Sequence, residues 1–318
     1  MMKTAQIGTN DDVDPDIRRF VRALNDGYGQ FSDFHTMPLA ERRLAAEQVR
    51  APWRSGGPVM AKTTTLEVGG ARLRLHIPVE GKPLPAMLYV HGGGWTMFSI
   101  DTHDRLMREY AARAGIIVAG IDYSLSPEAK FPKALDEVVE AYHWLRTEAS
   151  SHGVDTQRVA IGGDSAGGNM AVAVSLKLRD DGATLPDAML LNYGAFGAEP
   201  TASYPRYDGP DYMLTVDEMD QFWRNYVHEP AELENPLVCP VLADLEGLPP
   251  AFMAIAQCDI LAGVNEDMAS RLLAAGVSLE KQVYEGATHS FLEAVSISAL
   301  ADDAIEDAAA WLGQVFFR

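Results

Sequence analysis

The sequence predicts an α/β fold built on a central, mostly parallel, doubly wound sheet flanked by helices. Three observations carry this. Short runs of strand character alternate with segments of helical periodicity from residue 86 to the end of the chain. Some runs, such as 86–90, are apolar throughout, as expected where a strand is covered on both faces. Finally, the β-branched, apolar run 159–161 stops at Gly162 and Gly163, passes through Asp164-Ser165-Ala166-Gly167, and leads into the Ala/Val/Leu-rich helical stretch 170–178. A serine in G-x-S-x-G between a strand and a helix sits on a strained turn with its Oγ exposed above the sheet. The flanking glycines avoid collisions with neighbouring backbone.

In chain order, residues 14–50 show helical periodicity (Ile17, Phe20, Val21, Leu24, then Leu44, Ala45, Val49) and precede the first strand signals. A Pro/Gly-marked loop over 50–60 follows, then two alternating segments, 63–68 and 71–78, around Gly69-Gly70, which read as an antiparallel hairpin. Strands are expected at 86–90, 116–122, 159–161, 188–193, 251–256 and 279–284. Helices are expected at 101–114, 132–148, 170–178, 264–275 with Gly276 closing it, and 298–315. Residues 197–248 are too long for a simple crossover, and contain an amphipathic helix at 215–227 with Met219, Phe222, Trp223 and Tyr226, which Thr215 would cap. The expected organisation is therefore cap helices over 1–55, a first part of the sheet core over 56–196, a cap insertion over 197–248 and a second part of the core over 249–318.

Composition narrows the function. The chain has 318 residues, 47% of them hydrophobic, and a formal net charge of −19, which would be repelled by nucleic acid or an anionic membrane. No apolar run reaches membrane-spanning length, and Met1 to Asp16 is polar and acid-rich with no secretory signal. Two cysteines, Cys239 and Cys258, fit a reducing cytoplasm, the expected location, and are too few for a metal cluster or a disulfide framework.

Ser165 needs a base, since a neutral hydroxyl is a poor nucleophile. The eight histidines are His35, His76, His91, His103, His143, His152, His228 and His289. Where a strand-turn-helix serine is the nucleophile, the acid and then the base follow it in the chain. Only His228 and His289 follow. His289 lies in a loop just past the last strand, whereas His228 ends the cap helix, where the helix dipole explains it. Asp259, directly after the run 251–258, is the candidate carboxylate to orient His289; its plainer role is helix N-cap, and Glu266, Asp267 and Glu285 are its rivals. Backbone donors for a developing oxyanion are expected from Ala166 and from the glycine run 92–94 after the third strand. His91 is expected to brace that loop rather than act as a second base. Gly92 and Asp164 are grouped with it as supporting residues, with the role of Asp164 unassigned. Neither a nucleotide-binding nor a metal-binding motif is present, so no cofactor and no metal is expected. Trp95, Phe98, Tyr193, Tyr204 and Trp223 are candidate pocket residues, with Phe196 and Tyr226 as further aromatics; aromatics at helical spacing are more often packing than pocket.

His91-Gly92-Gly93-Gly94-Trp95, Gly163-Asp164-Ser165-Ala166-Gly167-Gly168-Asn169, Asp259-Ile260-Leu261 and His289-Ser290-Phe291 together resemble the hormone-sensitive-lipase-like carboxylesterases of the α/β-hydrolase fold, bacterial family IV. Asp122 to Glu128, with Phe131-Pro132, matches a further family segment. The resemblance spans roughly residues 60–315. It departs after Asp259, where Ile260-Leu261-Ala262-Gly263 replaces the usual Pro-Leu and acidic pair. It implies a triad of Ser165, Asp259 and His289, an oxyanion hole from the amides of Gly93, Gly94 and Ala166, and a helical cap built from the N-terminal helices. The expected activity is hydrolysis of small-molecule, short-chain acyl esters through an acyl-enzyme. Alternatives are an amidase or arylformamidase on the same residues, or a non-catalytic ligand receptor of the same fold. A homodimer is expected only from the commonness of two-fold symmetry.

Overall fold

The computed structural model of the protein describes residues 11–31, 34 and 36–317. The expectations for residues 1–10 and for His35 fall outside these. Two helices, α1 (Pro15–Tyr28) and α2 (Leu39–Arg50), come first. The Asp14 carboxylate caps α1 by accepting from the amides of Asp16 and Ile17 at 2.9 and 3.1 Å. The hairpin β1 (Lys62–Val68) and β2 (Ala71–Ile77) forms as expected, with Leu66 opposite Leu73. Then come β3 (Leu84–Val90), α3 (Asp104–Ala114), β4 (Ile117–Asp122), α4 (Lys133–Thr147), β5 (Val154–Asp164), α5 (Ala166–Asp180) and β6 (Met189–Asn192). The long connection holds a short α6 (Tyr204–Tyr207) and α7 (Val216–Tyr226), whose start is closed by a capping box between Thr215 and Glu218. The chain ends with β7 (Ala251–Cys258), α8 (Ala262–Ala274), β8 (Leu279–Thr288) and α9 (Ala299–Phe317).

The eight strands form one sheet in the order β1-β2-β4-β3-β5-β6-β7-β8. β2 runs antiparallel to both β1 and β4, and every pairing from β4 onward is parallel. β3, β6, β7 and the 159–164 part of β5 are buried almost end to end, which is why their sequences read as largely continuous apolar runs.

Several boundaries differ from expectation by a few residues, and three of them have a clear structural cause. β5 begins at Val154 rather than 159, because Val154 pairs with Leu84 across a register irregularity although Asp155 to Arg158 is polar. α5 begins at Ala166, four residues before its apolar pattern, since Gly167 and Gly168 have poor helix propensity but are packed against neighbouring backbone. β8 continues through Thr288: a register shift between Ala256 and Cys258 opposite Gly286 lets pairing resume at Thr288, so 285–288 is strand rather than loop.

Candidate active site

Ser165, Asp259 and His289 each sit at the carboxyl end of a strand, after β5, β7 and β8, where parallel sheets of this kind present their ligands. At Ser165 the backbone adopts φ 53 and ψ −118, a conformation side chains rarely occupy. Its amide donates to the Asn192 carbonyl at 2.9 Å, and its carbonyl accepts from Ala195 at 3.1 Å, so the strain is held by β6 and the turn beyond it. A Cβ on Gly163 or Gly167 would overlap the carbonyl of Val90 in β3, so the turn tolerates only glycine there.

His289 Nε2 lies 2.9 Å from Ser165 Oγ, and His289 Nδ1 lies 2.6 Å from Asp259 Oδ2. Asp259 is 1% exposed, and its other oxygen accepts from the Leu261 amide at 2.9 Å. That bond closes the turn preceding α8, whose N-cap is Leu261 with no side-chain cap, so Asp259 orients the imidazole and braces the turn but is not the helix N-cap. The Tyr193 ring packs edge-on against the imidazole at 5.1 Å. Among the rivals, Glu266 pairs with Lys281 at 2.7 Å on the surface, and Glu285 is exposed. His228 is exposed and lies beyond α7, which ends at Tyr226, rather than forming its last turn.

The loop after β3 is a tight turn in which Gly93 and Gly94 have φ 114 and 58, and the Gly93 carbonyl accepts from Thr96 and Met97 at 3.0 and 2.9 Å. The amides of Gly93 and Gly94 have no acceptor among the described residues. Ala166 opens α5, so its amide has no carbonyl a turn earlier within that helix. Asp164 anchors the loop. Its Oδ1 accepts from the Gly92 amide at 3.1 Å and the Tyr89 hydroxyl at 2.8 Å, and its Oδ2 faces His103 Nε2 at 3.3 Å. Burial opposes charge on both partners of that pair, but their mutual attraction and hydrogen bonding prevail, so the His103 pKa is raised and that of Asp164 lowered. His91 stacks on Tyr123 at 4.3 Å and bonds through Nδ1 to the Gly92 carbonyl at 2.7 Å. Burial, then the His103 charge, push its pKa down to about 4, so it is a neutral brace. His103 was one histidine among eight in the sequence, with no local signal marking it.

Ser165 and His289 open onto a cavity of about 370 Å³. Of the candidate pocket aromatics, only Phe98 lines it. Trp95 is fully buried between Tyr226 and Trp223, with ring centroids 4.2 and 4.6 Å away. Tyr193, Tyr204 and Phe196 are buried too; these aromatics supply the packing beneath and beside the site instead of its wall. The wall comes from residues without a sequence motif: Arg42 and Arg50 of α2, and Met213, Met219 and Phe222 from the connection between β6 and β7, among others. The positive-φ residues other than glycine are Trp95, Phe98, Ser165, Tyr193, Met213 and Ser290, all in or against this region, so backbone strain in the described residues is concentrated here.

Cys258, beside Asp259, is buried, and burial raises its thiol pKa to about 12, which suits an inert packing role. Among the described residues no three His, Cys, Asp or Glu side chains cluster as metal ligands, and no helix is long and apolar enough to cross a membrane.

A sheet of this order, with a serine on a strained turn after β5 hydrogen-bonded through a histidine to a buried aspartate, defines an α/β hydrolase. Residues 87–293 match the family model described as alpha/beta hydrolase fold, and the chain belongs to that family. An acetyl esterase of Salmonella paratyphi B is 33% identical over 277 residues, covering 85% of this chain and 83% of its own. Among solved structures, a hyperthermophilic esterase from the archaeon Pyrobaculum calidifontis superposes with a TM-score of 0.89 at 32% identity, over 95% of this chain and 98% of its own. A thermophilic and thermostable carboxylesterase from a metagenomic library gives 0.85 at 32% identity, over 89% and 99%. The protein is a carboxylic ester hydrolase of the hormone-sensitive-lipase-like branch.

Proposed function

We propose that the protein hydrolyses short-chain acyl esters through an acyl-enzyme on Ser165. One observation carries this reading: the unbroken hydrogen-bonded series Asp259, His289, Ser165 ends in a cavity beside the free amides of the glycine loop. Ser165 Oγ attacks the ester carbonyl as its proton passes to His289 Nε2. The tetrahedral oxyanion accepts from the amides of Gly93, Gly94 and Ala166, donors already aimed by backbone geometry and therefore needing no reorganisation. Collapse expels the alcohol, which takes the proton from His289. Water, deprotonated by the same nitrogen, then attacks the acyl-enzyme and restores the serine. Asp259 keeps the proton of the resting imidazole on Nδ1 and stabilises the imidazolium formed in each half-reaction.

The preference for short acyl groups is supported by the relative called an acetyl esterase. The helices α1 and α2 and the connection carrying α7 line the same cavity, which supports their reading as a cap. Replacing Ser165 with alanine tests the reading directly. Turnover of 4-nitrophenyl acetate should fall by a factor on the order of 10⁴ or more with the circular dichroism spectrum retained. An organophosphonate should label the wild type, with mass spectrometry placing the adduct on Ser165. Hydrolysis by the variant at the wild-type rate would end the proposal.

A further inference from the structure

We infer that the ester this site is built for carries a carboxylate remote from the scissile bond, bound by Arg42. The inference rests on the esterase reading above and narrows its substrate. Helix α2 presents Arg42, Ala46 and Arg50 at spacings of four, hence on one face. Arg42 and Arg50 both line the cavity, while Ala46 is buried between them. Two helical turns separate the arginines, about 12 Å along the axis.

Arg50 marks the reactive end. It forms a buried ion pair with Glu293, in the turn just after His289, and its guanidinium lies 4.3 Å from the centroid of Phe98, on the glycine loop's extension. Its Nε donates to the Tyr28 hydroxyl at 3.3 Å, so its charge is paired and its Nε is engaged. Arg43, on the next face, is fully engaged: Nε donates to the Thr96 carbonyl at 2.8 Å, and the other nitrogens reach Ser126 and Glu128.

Arg42 is different. It rests over the Phe34 ring at 5.5 Å, has no carboxylate within ion-pairing distance among the described residues, and its buried Nε has no acceptor among them. A buried guanidinium N–H without an acceptor is destabilising, and a carboxylate fits its fork better than any other common group. Glu218 is the acid on the cavity wall, but its Oε2 accepts from the Thr215 amide and hydroxyl at 3.0 and 2.8 Å, closing the start of α7. With Arg50 neutralised by Glu293, Arg42 is the cation on the cavity wall left without an ion-pair partner among the described residues, in a chain whose net charge is −19. Met97, Met213 and Met219 line the same space, an adaptable wall suited to a flexible methylene chain between ester and anion.

The carboxylate can belong to the acyl or to the alcohol half, and two matched pairs separate these. The first is the 4-nitrophenyl half-ester of adipic acid against its terminal carboxamide. The second is 6-acetoxyhexanoate against 6-acetoxyhexanamide. For one pair the wild type should favour the carboxylate in kcat/KM by about tenfold or more, and that pair identifies the half that carries it. In Arg42→Gln the carboxylate-to-carboxamide ratio should drop by about 10- to 100-fold, mainly through KM, and Arg42→Lys should recover part of it. Each ratio is taken within one preparation, so any loss of folded protein cancels. A wild-type ratio near or below one in both pairs, or a ratio unmoved by Arg42→Gln, overturns the inference while hydrolysis of the carboxamide esters leaves the esterase reading standing. Failure of the wild type on all four esters would remove both.

Discussion

The strand-end site and the cavity wall above it are held in place by different means. Ser165 is fixed through backbone bonds to Asn192 and Ala195, Tyr193 through its amide to Ala254 at 2.8 Å, and the glycine loop through Asp164. These groups inherit their positions from sheet register, which admits no small adjustments. The wall is instead fastened at a few points by long cationic side chains. Arg43 reaches the Thr96 and Ser126 carbonyls, Arg50 reaches Glu293, and Lys130 donates to the carbonyls of Arg224 and Val227 at 3.0 and 2.5 Å. The difference teaches that reaction geometry and substrate choice are structurally separable. Substitutions among the strand ends should change rate, and those in the wall should change which ester is used.

The sharpest test of the first half is Asp259→Asn. It preserves shape but removes the charge facing the imidazolium and permits the wrong tautomer, so kcat should fall about 10³- to 10⁴-fold with little change in KM. Stopped-flow or steady-state assays on 4-nitrophenyl acetate would measure it, and a loss under tenfold would mean that Asp259 is only a turn residue.

Asp164→Asn probes the support beneath the loop. Removing one partner of a buried ion pair should destabilise the fold by about 3 kcal/mol, read from urea midpoints. The pH dependence has a definite sign. His103, with a raised pKa, adds stability that is complete below its unfolded value of roughly 6.5 and is lost as pH climbs through the folded value. Asp164, with a lowered pKa, adds stability that is complete above roughly 3.9 and is lost as pH falls through the folded value. The gap between wild type and variant should therefore be widest between about pH 4 and 6.5 and shrink on both sides. A gap independent of pH would reduce Asp164 to a neutral hydrogen-bond acceptor.

The smallest effect is expected from the wall. Phe222 lines the cavity, and its ring lies so close to Gly94 that a Cβ there would overlap it. Phe222→Ala opens that space, and should shift relative kcat/KM from acetate toward octanoate esters by less than about tenfold. A comparable fall on every chain length would instead tie Phe222 to the geometry of the glycine loop.

The sequence by itself determined the parts whose causes are local. Alternating strand and helix patterns define the parallel sheet, because burial on both faces leaves a continuous apolar run in the chain. Glycines around Ser165 mark the strained turn, because only that residue type fits against Val90. Chain order together with position at the end of a strand singled out Asp259 and His289, and the structure brings both to Ser165. What the tertiary structure alone decided lies at greater separations. Asp164 acquires partners at Tyr89, Gly92 and His103, none of which is near it in sequence. Trp95 and Trp223, which read as pocket residues, pack against each other in the interior, while Arg42 and Phe222 face the cavity. Periodicity tells which residues share a face of a helix; it does not tell whether that face meets core or cavity, because this depends on how helices from distant parts of the chain dock.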